Sequence, residues 1–320
     1  PSDPFGGQTQ RLVAEAQQGG GDVFEIARTC REIESGDPAS WERAWLNLAE
    51  RTEADAKQSF RDGNLRTAMN SYFHANQYYR QSDVFLQEPN DKRERFLKAQ
   101  GCFRAGAELY STPIEVIEIR CGDDVYDGYF CAPSDPSPGH WPAVFLIGGA
   151  DAYAEEIFFS GRHILNRGWA LLLVDTPGRG SSSYVKGIPT RPDYEVPVKA
   201  CLDYLDGRRD IDSLRIAMIG ISMAGYYAPR AAAFDKRIKA LIGWCGCYSL
   251  LDDLYLFYDP LKPTLQRILG GVNDTEAKHR LKDFTLKGLG KNITCPTLIT
   301  HGVDDRLMNV EGAQKLFDEI

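Results

Sequence analysis

The sequence contains no hydrophobic run long enough to cross a membrane. Its longest apolar segments, "AVFLIGG" at 143–149 and "WALLLVD" at 169–175, have seven residues each, whereas a membrane-spanning helix needs about 20. The first residues also lack the basic and then apolar pattern of a secretory signal. We therefore expect no membrane partner and a cytoplasmic location.

The sequence also lacks a block of basic residues. It carries 37 Lys and Arg against 45 Asp and Glu, which gives a formal net charge of -8 at pH 7. Proteins that bind nucleic acid or anionic membranes present clustered positive charge. The charge balance therefore argues against a nucleic-acid partner and favours a neutral small molecule or another protein.

Paired cysteines are absent as well. The eight cysteines show no Cys-x-x-Cys spacing, so neither a zinc site nor a disulfide framework is predicted. Cys245 and Cys247 are the closest pair, and we interpret them as reduced, buried thiols. No metal is expected.

The sequence does contain apolar residues at helical spacing up to about residue 110. The three stripes are Trp41, Ala44, Trp45 and Leu48, then Leu65, Ala68, Met69, Tyr72, Phe73 and Tyr79, and finally Phe96, Ala99, Phe103 and Ala107. Such stripes predict amphipathic helices. Because no segment repeats at a fixed period, we predict a helical bundle over residues 1–112 rather than a solenoid.

From residue 113 the pattern changes to strands. "IEVIEIR" and "VYDGYFCAP" flank a short turn at 121–124 and predict a β-hairpin. A loop at 134–142 follows. The next apolar runs are "AVFLIGGADA", "WALLLVDTPGRG", "LRIAMIGIS", "IKALIGWCG" and "PTLITHG", and the helical segments among them are 153–167, 193–208 and 223–234.

Buried strands that alternate with helices are typical of the α/β class. They predict a mostly parallel sheet with helices on both faces over residues 113–320. Residues 248–291 contain no clear strand, and we interpret them as a helical insertion.

Ser222 lies between the apolar run "RIAMIG" and an alanine-rich helical segment. Ligands of open parallel sheets bind at the carboxyl ends of strands. Gly220 and Gly225 are small, as a sharp strand-to-helix turn around a reactive serine requires. Ser222 is therefore the candidate nucleophile, and the alternative is a small residue in an ordinary tight turn.

Asp305 follows the last apolar run, "CPTLIT". A carboxylate at this strand end can orient the imidazole that removes the Ser222 proton. The alternatives are a turn or helix cap at Asp305, or an acid at Asp304, Asp252 or Asp253.

The loop "GGADAY" follows the first of the five apolar runs. The backbone N–H groups of Ala150 and Met223 are candidates for an oxyanion hole, where each donor contributes about 3 kcal/mol to transition-state stabilisation. The alternative is an ordinary glycine-containing turn.

The base is not assigned within the 320 residues. His301 is interpreted as a packing residue, and the other four histidines fall in helices, in the insertion or before a strand. They are His74, His140, His163 and His279. On a serine turn of this kind the chain order is nucleophile, acid, histidine, so we expect the histidine and a final strand to follow Ile320.

Several segments together resemble the α/β-hydrolase superfamily. They are "WERAWLNLAE", "LIGGADAY", "DTPGRGSS", "GISMAGYYAPRAAA", "DFTLKGL" and "CPTLITHGVDD". Within it, the chain is similar to the group of 2,6-dihydroxypseudooxynicotine hydrolase, the fungal heptaketide-shortening hydrolases and the fermentation–respiration switch protein. The resemblance covers about residues 40 to 310, and Ala224 departs from it where many hydrolases have glycine.

The resemblance implies an N-terminal helical cap domain on an α/β-hydrolase core, a homodimer and a Ser-His-Asp triad. It places the nucleophile at Ser222 and the acid at Asp305. It also implies that Asp151 faces the substrate, although Asp151 could instead cap the helix that begins near 153. No cofactor is implied.

Several members of the group cleave a carbon–carbon bond next to a ketone. The resemblance therefore implies hydrolysis of a β-dicarbonyl, an aryl ketone or a polyketide-like small molecule through an acyl-enzyme. An aromatic or polyketide-like ligand also suits the aromatic residues of the helical region and the insertion. The alternatives are a carboxylesterase or thioesterase, and a non-catalytic binding or regulatory protein on a hydrolase scaffold.

Overall fold

The computed structural model describes residues 4–133 and 140–320. The described chain divides into two compact units. The first unit contains the described residues up to Ile114 together with Phe158–Arg162. The second unit contains the described residues of Glu115–Ile157 and of His163–Ile320. The predicted loop at 134–142 lies mostly outside the described residues.

The first unit is helical. Its helices are α1 (Pro4–Glu15), α2 (Val23–Cys30), α3 (Pro38–Arg61), α4 (Leu65–Asp83) and α5 (Pro89–Glu108), and a π-helical turn (Ala16–Gly20) follows α1. The carboxylates of Asp22 and Asp37 accept hydrogen bonds from backbone N–H groups in the first turns of α2 and α3. These caps satisfy donors that a helix leaves unpaired at its start.

The predicted stripes form much of this unit's core. All four members of the α3 stripe are buried, as are Phe73 and Tyr79 of α4 and Phe103 of α5. The ring of Phe73 packs 5.6 Å from that of Phe103. Leu65 was wrongly included in the α4 stripe, because it is the first residue of that helix and is 49% exposed.

The second unit is built on a seven-stranded sheet. Its strands are β1 (Ile114–Cys121), β2 (Asp124–Cys131), β3 (Trp141–Ile147), β4 (Ala170–Val174), β5 (Ile211–Ile221), β6 (Ile238–Trp244) and β7 (Thr297–Thr300). The order across the sheet is β1-β2-β4-β3-β5-β6-β7. β2 pairs antiparallel with β4, and the pairs from β4 through β3, β5, β6 and β7 are all parallel. The predicted α/β class is confirmed.

Helices connect these strands. They are α6 (Ala154–Leu165), α7 (Gly180–Tyr184), α8 (Glu195–Asp206), α9 (Ala224–Phe234), α10 (Lys262–Ile268), α11 (Asp274–Leu281) and α12 (Glu311–Glu319). The predicted insertion at 248–291 contains α10 and α11, with short helical turns at Leu251–Tyr255, Asp259–Leu261 and Gly290–Asn292 near them. Its strand-like content is an isolated bridge between Ser249 and Thr285.

Candidate active site

The carboxyl ends of four parallel strands lie side by side. Ile147 of β3 pairs with Gly220 of β5, Ile221 pairs with Trp244 of β6, and Trp244 pairs with Thr300 of β7. The residues that follow these strands are therefore neighbours along one edge of the sheet. This edge holds Ser222, Asp305 and the loop that contains Ala150.

Ser222 occupies a left-handed backbone conformation, with φ of 58°. Such a conformation is uncommon for a residue with a side chain and often marks a functional site. Two hydrogen bonds fix the turn: Ser222 N–H donates to the Trp244 carbonyl at 2.7 Å, and its own carbonyl accepts from Gly225 N–H at 2.7 Å. The strand thus ends abruptly, and α9 begins two residues later.

The small residues around Ser222 are required by close backbone contacts. A Cβ at Gly220 would lie 2.1 Å from the Ala224 carbonyl oxygen, and one at Gly225 would lie 2.2 Å from the Cys245 carbonyl oxygen. Neither position has room for a methyl group. Ala224 is itself buried without such a conflict.

The loop after β3 comes close to the serine side chain. A Cβ at Gly149 would lie 3.0 Å from Ser222 Cβ and 3.1 Å from Ser222 Oγ. Ala150 follows directly, and Met223 follows the serine. Among the described residues, no backbone acceptor bonds the N–H of Ala150 or Met223.

The Asp305 carboxylate is held by its own loop. Its Oδ1 accepts hydrogen bonds from Leu307 N–H at 2.8 Å and Met308 N–H at 3.1 Å. Its Oδ2 lies 3.4 Å from His301 Nε2. These contacts fix the side chain, which remains partly exposed, whereas its neighbour Asp304 is exposed.

His301 is packed in this loop. Its side chain is 3% exposed, and Nε2 lies 3.1 Å from the Met308 carbonyl oxygen. That short contact requires Nε2 to carry a proton and donate it. Its Nδ1 is buried and has no hydrogen-bond partner among residues 4–133 and 140–320. The ring thus helps to support the loop of Asp305.

Three further histidines belong to the second unit. His140 precedes β3, with Nδ1 3.4 Å from the carbonyl of the first residue of β5, so it lies at the amino ends of the strands. His163 is on α6 and His279 is on α11. His74, on α4, belongs to the first unit.

The alternative acids have other partners. Asp253 Oδ2 accepts hydrogen bonds from Tyr248 N–H at 2.9 Å and Ser249 N–H at 2.8 Å. Burial raises the pKa of Asp253. Asp252 accepts a hydrogen bond from the Ser249 hydroxyl at 2.9 Å. Both carboxylates therefore support the chain that follows β6.

Cys245 was not singled out as a site residue from the sequence, yet it lies at this edge. It follows β6 and, like Ser222, has a positive φ, of 67°. Its N–H donates to the Thr300 carbonyl at 2.7 Å. Burial, and then the charge and hydrogen bond of the neighbouring Asp305 carboxylate, raise the pKa of its thiol to about 11. Cys247 is buried as predicted, but Cys245 is only partly buried.

Asp151 lies in the turn between β3 and α6. The N-cap position of α6 is occupied by Tyr153, not Asp151. The carboxylate that binds the first N–H of this helix is that of Asp175, whose Oδ1 accepts from Ala154 N–H at 2.8 Å. Asp151 is therefore not the N-cap residue of α6.

No cluster of metal-binding side chains was found in the described ranges: no three His, Cys, Asp or Glu residues are arranged to hold an ion. In the same ranges, no helix is both long and apolar enough to span a bilayer.

The fold and this edge define a class. A parallel sheet with the serine on a left-handed turn between β5 and α9, and a carboxylate after β7, is the arrangement of the α/β-hydrolase fold. No protein-family model matches the chain, but individual proteins are similar to it in sequence and in fold.

Curated fungal proteins are similar in sequence. Hydrolase ORFZ of Pyricularia oryzae is 34% identical over 279 residues, which are 80% of this chain and 62% of that protein. Alpha/beta hydrolase xenA of Xenoacremonium sinensis is 33% identical over 261 residues, which are 78% of this chain and 61% of that protein. The chain spans about three fifths of the length of these relatives.

A solved structure is similar in fold. The crystal structure of 2,6-dihydroxy-pseudo-oxynicotine hydrolase superposes with a TM-score of 0.84 at 24% identity, over 96% of this chain and 85% of that one. The chain belongs to the α/β-hydrolase superfamily.

Proposed function

We propose that this protein is a serine hydrolase that attacks the carbonyl group of a small molecule, with Ser222 as the nucleophile. The observation that carries the proposal is the left-handed turn at Ser222, which ends a central strand beside Gly149. A serine on a left-handed turn between a strand and a helix is the arrangement of a nucleophile in this fold. Ser222 is only partly buried.

The oxyanion that forms on attack needs donors that are already in place. Met223 N–H comes from the turn itself, and Ala150 N–H comes from the loop that passes the Ser222 side chain. Both donors lack backbone partners among the described residues. Removing one such donor typically costs about 100- to 1000-fold in kcat.

Asp305 is proposed to orient the general base. Its Oδ1 is held by two backbone N–H groups, and its Oδ2, 3.4 Å from His301 Nε2, is proposed to accept the N–H of the imidazole base. We propose that the base is a histidine whose ring N–H this carboxylate binds, in keeping with a nucleophile–histidine–acid triad. His301 does not suit the role, because its buried Nε2 already faces the Met308 carbonyl.

Cys245 is a second nucleophilic side chain at the same edge. A thiol attacks only as its thiolate. Because burial and the Asp305 carboxylate raise its pKa to about 11, the thiol is protonated at neutral pH. Ser222 with a base is therefore the better nucleophile.

The bond cleaved is proposed to be a carbon–carbon bond next to a ketone. Ser222 adds to the carbonyl, the carbon leaves as a stabilised enol or enolate that the histidine protonates, and water releases the acyl group. The substrate is then a β-dicarbonyl, an aryl ketone or a polyketide-like molecule. The similar fold of 2,6-dihydroxy-pseudo-oxynicotine hydrolase, which is named for a small-molecule substrate, supports this class.

Asp151 is proposed to bind a polar group of the substrate. It lies one residue after Ala150, in the turn that leaves the sheet. The aromatic Trp244, whose carbonyl bonds Ser222 N–H, is 49% exposed. A partly exposed aromatic residue next to the nucleophile is consistent with a flat substrate.

Turnover of a β-diketone and of a p-nitrophenyl ester by the full-length natural protein tests the bond that is cleaved. We expect the diketone to be cleaved with a kcat/KM at least equal to that of the ester, and both activities to be lost in Ser222→Ala. Fast ester hydrolysis without diketone cleavage would show an esterase instead. Absence of both activities would contradict the proposed catalysis.

A further inference from the structure

Arg179 is a buried cation next to the candidate oxyanion loop. Its side chain is 2% exposed. Its Nε donates a hydrogen bond of 2.9 Å to the carbonyl oxygen of Gly148. Gly148 begins the loop that leads through Gly149 to Ala150, so the guanidinium fixes the peptide just before the proposed oxyanion donor.

The same guanidinium also contacts the helix that follows the nucleophile. Its central carbon lies 4.5 Å from the centroid of the Tyr227 ring on α9. The Tyr227 hydroxyl lies 3.9 Å from the sulfur of Met223 and 2.6 Å from the Thr190 hydroxyl. Arg179 therefore contacts both chain segments that carry a proposed oxyanion donor.

A third contact fixes the orientation of the guanidinium. Its Nη1 donates to the Tyr194 hydroxyl at 2.5 Å, and that hydroxyl donates to Thr176 Oγ1 at 2.6 Å. The Tyr194 and Tyr227 rings pack with centroids 3.6 Å apart. The planar fork of arginine is thus used in two directions, which a lysine cannot reproduce.

The charge on Arg179 is unusual for a purely structural residue. Within the described chain no carboxylate forms an ion pair with it, and its hydrogen-bond partners are neutral. Its Nη2 is buried without a partner in the same part of the chain. Burying a charge without an opposite charge is costly, and an apolar side chain would often be more stable.

We propose that Arg179 is a positioning residue for the oxyanion hole. It holds the Gly148 carbonyl and the Tyr227 ring in one frame, and so sets the Ala150 N–H relative to the Met223 N–H. This inference rests on the proposed serine hydrolase function. Misplacing a catalytic group by about 1 Å can cost about 100-fold in rate.

A fluorophosphonate probe gives a test that needs no knowledge of the substrate. The bond between Ser222 Oγ and phosphorus forms, the phosphorus–fluorine bond breaks, the hydroxyl proton passes to the base, and fluoride leaves. The phosphoryl oxygen occupies the oxyanion hole during attack. The rate constant kinact therefore reports on the hole, whereas KI reports on binding of the probe.

The variants are Arg179→Met and Arg179→Lys, with Arg208→Met as a matched control. Arg208 also stacks on a ring, 3.5 Å from the Phe130 centroid, but it pairs with Glu115 and Asp210 near the amino ends of the strands. We expect kinact to fall about 10- to 100-fold in both Arg179 variants with KI within threefold. Arg208→Met is expected to keep kinact within twofold.

Amide hydrogen exchange of the 148–152 segment provides a second readout, independent of labelling. We expect the amides of this segment to exchange at least tenfold faster in Arg179→Met than in Arg208→Met, when each variant is measured the same number of degrees below its own Tm. The inference would be overturned if the Arg179 variants had the same kinact as the wild-type protein, or if the 148–152 amides exchanged at the same rate in Arg179→Met and Arg208→Met. An unlabelled wild-type protein would refute the proposed function instead, and the exchange comparison would still decide whether Arg179 holds the loop.

Discussion

Arginine side chains have different surroundings at the amino and at the carboxyl ends of the central strands. At the amino ends, arginines are paired with acidic residues and remain partly exposed: Arg208 bonds Glu115 and Asp210, and Arg237 bonds Asp235 at 2.6 Å. At the carboxyl ends, Arg179 is buried on neutral partners.

The backbone differs in the same way. Among the described residues, the two non-glycine residues with positive φ are Ser222 and Cys245, and both follow carboxyl ends of neighbouring strands. Strain and unpaired buried charge reduce stability and persist where function requires them. Paired arginines stabilise the amino ends of the strands, and the strained backbone and unpaired charge at the carboxyl ends fit the catalysis proposed there.

The largest expected effect contrasts two serines of one chain segment. Ser222→Ala should lower hydrolysis of any accepted substrate by more than about 1000-fold, because the nucleophile is lost. Ser213→Ala, at the other end of β5, should leave kcat within twofold. Steady-state kinetics on both variants make the comparison, and substantial activity in Ser222→Ala would remove the distinction between the two ends.

The next effect separates the two adjacent aspartates after β7. Asp305→Asn should lower kcat by about 100- to 10000-fold, because a neutral amide no longer stabilises the imidazolium that forms. Asp304→Asn, at an exposed position, should change kcat less than threefold. The reverse ranking in kcat would transfer the acid role to Asp304.

A smaller effect compares two glycines that are paired across the sheet. Gly220 and Gly243 are neighbours in register, but a Cβ at Gly220 meets the Ala224 carbonyl at 2.1 Å, whereas one at Gly243 meets only Ile299 Cγ1 at 4.0 Å. Gly220→Ala should lower the free energy of unfolding by about 1–3 kcal/mol. Urea denaturation of both variants tests this, and equal stability would mean that the turn adapts.

The smallest expected effect concerns the reactivity of the Cys245 thiol. Because the pKa of its thiol is about 11, alkylation by iodoacetamide should be slow at pH 8 and rise about tenfold per pH unit toward pH 10. Asp305→Asn removes a nearby negative charge, so the pKa should fall and alkylation at pH 8 should be several-fold faster. Peptide mass spectrometry measures the rate, with Asp304→Asn as the control. An unchanged rate in Asp305→Asn would show that the two side chains do not interact.

Much of the fold and part of the site could be predicted from local sequence patterns. Apolar runs predicted the strands of the parallel sheet, and the small residues around Ser222 predicted the turn that the structure contains. The roles of Ser222, Asp305, Asp151, Ala150 and Met223 stay predictions, as do the homodimer and the cytoplasmic location.

The remaining features depend on contacts between distant segments. The "GRG" motif contains Arg179, but its burial on Tyr194 and Tyr227 follows from how α8 and α9 pack. Cys245 is an ordinary thiol in sequence; burial raises its pKa first, and the Asp305 carboxylate, which the loop after β7 brings to it, raises it further. Tertiary proximity of this kind leaves no local pattern.

The most direct test of the central claim is the site of covalent modification by a fluorophosphonate probe. After reaction with the full-length natural protein, peptide mass spectrometry should find one adduct, on Ser222, and Asp305→Asn should slow its formation. No adduct, or an adduct on another residue while Ser222 stays unmodified, would contradict the claim that this strained serine is the nucleophile.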